Sequence, residues 1–246
     1  MELSPETVAA LTFGVLAVAF LYSSVGHAGA SGYIAVMSLL SIAPETIKPV
    51  SLTLNILVAS IGTWQFWRAG HFSWRFFWPF AILSVPFAFV GGYINLPTQA
   101  LKYLLGAVLL YSAAHFFIRP PPEQEPREPR RAVALASGAG IGLLSGLSGT
   151  GGGIFLSPLM LFMHWARTRR VAATSVLFIL VNSIAGLLGN IGSTGKFPTF
   201  ALILVAAAAV GGTLGSWLGS RRFDPVDIKR FLAVVLLIAG SKFLFT

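Results

Sequence analysis

The sequence predicts an all-α polytopic membrane protein made of two inverted-topology repeats of about five helical segments each, with broken, re-entrant helices at its glycine-rich motifs. Three observations carry this. Charged residues form 10% of the 246 and apolar ones 55%, with a mean hydropathy of +0.79. A soluble domain carries about 25% charge, so a water-facing surface for a chain of this length cannot be made. Apolar runs near the ~20 residues that cross a bilayer as helix recur from end to end. The halves also echo one another. Gly70, His71 and Phe72 answer Gly195, Lys196 and Phe197 at an offset of 195 − 70 = 125, and Leu101-Lys102 answers Ile228-Lys229 at 228 − 101 = 127.

The first half, 1–118, gives segments at roughly 8–25, 31–43, 47–67, 74–93 and 98–118. Met1–Thr7 carries Glu2 and Glu6 but no basic residue. The run Val8–Leu21 is therefore expected as a retained membrane segment that starts outside, since a cleavable leader needs a positive start. The second segment is short and follows a break at Gly26, His27, Ala28, Gly29, Ala30, Ser31 and Gly32. The linker, 119–131, holds Pro120, Pro121, Pro122, Pro126 and Pro129 among mixed charges. It reads as a solvated, extended cytoplasmic connector. The second half, 132–246, gives segments at roughly 132–148, 152–164, 169–190, 198–219 and 226–245. Its short seventh segment carries Pro158 and follows Gly149, Thr150, Gly151, Gly152 and Gly153.

Charge placement sets the topology. If all ten segments reverse the chain, one side receives 13 of the 17 basic residues and the other only Lys48, Lys102, Lys196 and Lys242. If the short segments merely continue the helix before them, the split is 9 to 8. Basic residues concentrate on the cytoplasmic side, so the first count is preferred. Both termini are then expected to face outside. The formal charge of +9 thus serves orientation, and no nucleic acid partner is expected. With no cysteine, disulfides and thiolate metal sites are excluded. A homo-oligomer is compatible with this reading.

Non-helical backbone at membrane depth is tolerated only where protein or water covers it. Each short helix should begin just after its glycines, with unpaired N–H groups and a positive dipole end turned into the protein, where an anion can bind without a charged side chain. All eight acidic residues, from Glu2 to Asp227, lie at termini, loops or segment ends, so no interior carboxylate holds a cation. The polar residues that can line a path are uncharged: Ser51, Thr53 and Asn55 on the third segment, Thr174, Ser175 and Asn182 on the eighth. Hydroxyls and amides donate hydrogen bonds to oxyanions. The candidate substrate-binding set is these six with Gly26, His27, Gly29, Ser31, Ser148 and the five residues from Gly149 to Gly153. His27 stands where Thr150 stands in the second break, and can couple transport to pH. Neither a metal site nor a cofactor is expected, and no residue is assigned a catalytic role.

The stretch from Gly146 to Pro158, with Gly149, Gly151, Gly152 and Gly153 at its heart, resembles the glycine-rich motif of the TauE/SafE family of bacterial sulfite exporters. Arg170 to Ser175 is similar to that family's Ala-x-x-Thr-Ser stretch. In the first half Ala28 and Ala30 stand in place of glycines, and Pro49 to Thr53 echoes Ala-Thr-Ser only loosely. The resemblance covers nearly the whole chain. It implies export of sulfite, sulfonates such as sulfoacetate, or related small organosulfur anions by a secondary transporter. Besides a non-transporting membrane subunit or receptor, two other readings stay open. One is a transporter of transition-metal or other cations, using His27 with hydroxyls and carbonyls. The other is an intramembrane serine protease, since Gly146-Leu147-Ser148-Gly149 fits Gly-x-Ser-Gly, although only His164 follows Ser148 as a candidate base.

Overall fold

In a computed structural model of the chain, residues 4–94, 99–118, 124–195 and 199–245 are described. Ten α-helices run through them: α1 Pro5–Ser24, α2 Ala30–Leu39, α3 Pro44–Arg68, α4 Trp74–Tyr93, α5 Gln99–Ile118, α6 Arg131–Ser148, α7 Gly153–Phe162, α8 Thr168–Thr194, α9 Val205–Arg221 and α10 Pro225–Phe245. Among the described residues six helical spans are long and apolar enough to cross a membrane, and no strand is present. The protein is a polytopic all-α membrane protein. Each expected segment has its helix, and the fourth agrees residue for residue. Lys196 and Phe197, one half of the Gly-x-Phe echo, lie outside the described residues, and Lys102 is described in backbone only.

Local chemistry sets the ends. Ser4 accepts a hydrogen bond from the Thr7 N–H and Pro5 opens α1, the usual cap and first-turn proline. Pro44 opens α3 in the same way. Several boundaries differ from the sequence reading by a few residues; α2, for one, ends at Leu39 and not at 43. Helix α8 runs on to Thr194 because Ser193 and Thr194 bond their hydroxyls back to the Asn190 carbonyl, and Gly195 then closes it at φ 65°. Hydropathy alone stops at the last apolar residues. The ninth segment starts as a 3₁₀ turn, Thr199–Leu204. Ala201 and Leu204 are its buried residues, three apart, and the three-residue period puts both on one face.

The two short helices match at both ends. Each has ten residues, and each is entered through a left-handed glycine, Gly29 at φ 107° and Gly152 at φ 82°. Each exits through a left-handed non-glycine residue, Ser41 at φ 56° and His164 at φ 52°. The next N–H in each case reaches back five residues, from Ile42 to Met37 and from Trp165 to Met160. Both correspondences have the offset 152 − 29 = 164 − 41 = 123.

Packing interleaves the halves. The main contacts are α1 with α9, α4 with α6 and α8, α5 with α10, and α3 with α8 and α9. Adding five to each helix number, modulo ten, turns this set into itself. Glycines spaced by four let two parallel pairs approach backbone to backbone. Gly138, Gly142 and Gly146 of α6 face the carbonyls of Phe80, Ser84 and Ala88 on α4. Gly211, Gly215 and Gly219 of α9 face those of Leu16, Phe20 and Ser24 on α1. Small residues at this spacing drive helix association in lipid through van der Waals contact and Cα–H···O approach. The corresponding helices α3 and α8 run antiparallel: Asn55 meets Ser183 while Gly62 meets Val176. So do α5 and α10, where Gly106 meets Leu244 and Leu110 meets Gly240.

Candidate functional site

The α3–α8 crossing is the centre of the molecule and the place where the two breaks meet. Asn55, fully buried on α3, accepts a hydrogen bond at Oδ1 from the N–H of Ala30, the first residue of α2, at 3.0 Å. Its Nδ2 donates to the Thr150 carbonyl and to Ser183 Oγ, both at 3.3 Å. One amide thus caps the start of α2 and holds the loop that leads into α7. A second link runs from His27 Nε2 to Ser157 Oγ at 2.8 Å and on to Ser175 Oγ at 2.7 Å. It ties the first break to α7 and α8. The space beside the glycines is filled: a side chain on Gly151 would meet Ile179, Asn55 and Ser183, and one on Gly152 would meet Phe178, Ile141 and Ser145.

The candidate residues divide into those with partners and those without. Ser31 pairs with the Tyr22 hydroxyl at 3.0 Å, on the side of the break facing α10. Thr53 bonds back to the Pro49 carbonyl and is only half-buried. Ser148 bonds back to Leu144 and pairs with Thr150 Oγ1 at 2.8 Å. Gly26 packs on the Ala172 backbone of α8, and Gly149 lies over the Lys48 side chain of α3. In contrast, Ser51 Oγ, Thr174 Oγ1, Asn182 Nδ2 and His27 Nδ1 are buried without a hydrogen-bond partner. Asn182 uses only its Oδ1, which accepts from Ser84 at 2.5 Å. Tyr33 OH, in the second turn of α2, and Ser145 Oγ, beside Gly152, are in the same condition. Buried polar groups are normally paired; these six are not, and they lie on the two breaks and on the helices beside them.

Sequence reasoning missed five participants, one of them Tyr33, whose hydroxyl lies against Gly29. Ser157 and Ser183 look like small residues in apolar helices, and their roles emerge only when α7 and α8 pack on the first half. Ser145 is hidden in the same way. Lys48 counted only towards orientation, yet its Nζ donates to the Gly92 carbonyl at 3.3 Å while its stem lies under Gly149. Outside the spans, burial pushes the His71 imidazole below its usual range and the Arg169 charge adds to this; the Ser220 carbonyl, 3.0 Å from Nε2, opposes both.

The Sulfite exporter TauE/SafE family model matches residues 11–243. The chain is 40% identical over 240 residues to a probable membrane transporter protein, y4hK, of Sinorhizobium fredii, covering 96% of each. It is 24% identical over 249 residues to the probable membrane transporter protein YjnA of Bacillus subtilis, covering 92% of this chain and 96% of that one. No solved structure matches. With the family's pattern running from α1 to α10 and the two glycine breaks joined at its centre, the chain belongs to the TauE/SafE sulfite exporter family of membrane transporters.

Proposed function

We propose that the protein is a secondary transporter exporting sulfite, sulfonates or related small organosulfur anions by alternating access. The observation that carries this reading is the set of unpaired polar groups of His27, Ser51, Thr174 and Asn182 around two helix starts bridged by Asn55. Donor groups and positive dipole ends at one point, with no carboxylate beside them, suit an oxyanion. The glycines from Gly149 to Gly153, with Gly26 and Gly29, supply the backbone approach. Ser31, Thr53, Ser148, Thr150 and Ser175 support the lining from positions already bonded.

Residues 1–118 and 132–246 are read as repeats, inverted about an axis near Asn55 and Asn182. The antiparallel run of α3 against α8 and of α5 against α10 supports inversion. It also favours ten reversals over eight, since α3 and α8 would be parallel in the latter. Both termini then lie on one face, the periplasmic face of an inner membrane, and the arginine-rich linker face is cytoplasmic. Efflux of an anion needs no coupled ion: each negative charge leaving a negative interior gains about 2.3 kcal/mol per 100 mV. Reconstitution in proteoliposomes with sulfite, sulfoacetate, sulfate and nickel tests the substrate class. Flux of a sulfur oxyanion is expected; nickel flux alone would replace this reading with the cation one.

A further inference from the structure

A cavity of about 820 Å³ lies on the linker face, away from the glycine breaks. Arg167, Arg169 and Arg170 form one wall, His71 another, and Glu125 of the linker and Asp224 complete it. The cavity is assembled by four separate connections: α3–α4, the linker, α7–α8 and α9–α10. Arg167 is the residue that precedes α8 and follows α7 by one short turn. Arg169 donates through one terminal nitrogen to the Phe223 carbonyl at 2.9 Å, while its Nε is buried and unpartnered. Arg170 reaches Glu128 only at 3.9 Å, with both side chains about half exposed. The linker is pinned here, because the Arg127 N–H donates to the His164 carbonyl at the end of α7, at 2.9 Å. That bond holds Glu125 two residues away, at the arginine wall.

An orientation signal needs basic charge on a face. It does not need three guanidinium groups gathered on one concave wall, nor one of them with a buried donor left over. The lining sets three guanidinium groups against the two carboxylates of Glu125 and Asp224, and an excess of positive charge between low-dielectric walls raises the local concentration of anions and speeds their capture. We propose that this cavity is the loading vestibule through which small oxyanions reach the transport path from the linker face, and that Glu125 is a tethered carboxylate competing for the same guanidinium groups. The inference rests on the anion reading above and adds where the anion enters and what opposes it. A carboxylate on a short strap and a free oxyanion use the same bidentate arginine chemistry, so removing one should favour the other.

The test uses the full chain in proteoliposomes of phosphatidylcholine, with sulfite supplied on the linker face. The double variant Arg167→Gln/Arg170→Gln should raise KM for sulfite roughly three- to tenfold with kcat within about twofold, as expected for peripheral charges that steer binding. Glu125→Gln should move KM the other way, down roughly two- to fivefold, and both effects should shrink in high salt. Unchanged KM in both variants, or a shift of the same sign in both, overturns the vestibule. Adding phosphatidylglycerol separates the sources of anion. If it raises the wild-type KM but not that of the double variant, lipid headgroups hold the cavity and the loading role fails. If wild type moves none of the sulfur oxyanions, the substrate reading falls by itself. Calorimetric titration of the purified protein with sulfate then decides the vestibule: binding lost in the double variant supports it, and binding unchanged overturns it.

Discussion

At the residue scale, Asn55 performs two jobs with one amide, and its removal should be felt twice. Asn55→Ala leaves the Ala30 N–H and the Thr150 carbonyl unpaired in a buried place. Each such group costs about 1–3 kcal/mol, so a clear fall in thermal stability in detergent is expected together with loss of flux. Asn182→Leu loses less, because only the bond its Oδ1 accepts from Ser84 goes and its Nδ2 has no partner to lose. It should keep most of the stability and lose transport; unimpaired flux would remove Asn182 from the path. His27 is bonded at Nε2 and free at Nδ1. His27→Gln should flatten the pH profile of flux if the ring carries a proton, and an unchanged profile makes it a tie between α7 and the first break. His71 gives a pH effect of the opposite origin. Its imidazole is held below 6.5 by burial, so the fold resists protonation there and stability falls as pH drops below about 6.5, the unfolded value. His71→Gln should abolish that part of the slope in melting curves taken between pH 5 and 8.

At the scale of elements, the ten segments were legible because lipid demands long apolar runs and marks their ends with charge, glycine and proline. The short second and seventh helices were legible for the same reason: glycine clusters interrupt them where hydropathy does not. What each helix touches was not. The Gly138, Gly142 and Gly146 row reads as tolerance for close packing, but nothing in its spacing says that the partner is α4 of the other half. Likewise Ser157 and Ser183 become part of the site only through contacts 130 and 128 residues away along the chain, respectively. The 3₁₀ start of the ninth segment was hidden in an apolar run that any helix type could use. Two substitutions test these elements. Gly142→Leu, forced against the Ser84 backbone, should cost about 3 kcal/mol or more by overpacking, read as lost folded yield. Gly152→Leu places a bulky group at a left-handed position against Phe178 and Ser145. It should abolish flux while membrane insertion, followed by fractionation, persists.

At the scale of the whole molecule, labelling single cysteines placed at one end and in the linker tests the reversal count, since the chain has no native cysteine. The two positions should react with an impermeant reagent from opposite sides; reaction from the same side would refute the ten-reversal topology in favour of eight. The parallel seams carry a further consequence. Helix α1 is bolted to α9 and α4 to α6, so the bodies that would rock in the proposed alternating-access cycle are each stitched from both halves of the chain. The units divided by the linker are therefore not the ones expected to swing. A fragment ending at the linker would lack the counterpart for both of these seams, and the two fragments should regain activity only when synthesised together. A bulky change in either half is then expected to reach the mechanics of the other, as in a single machine with no spare part.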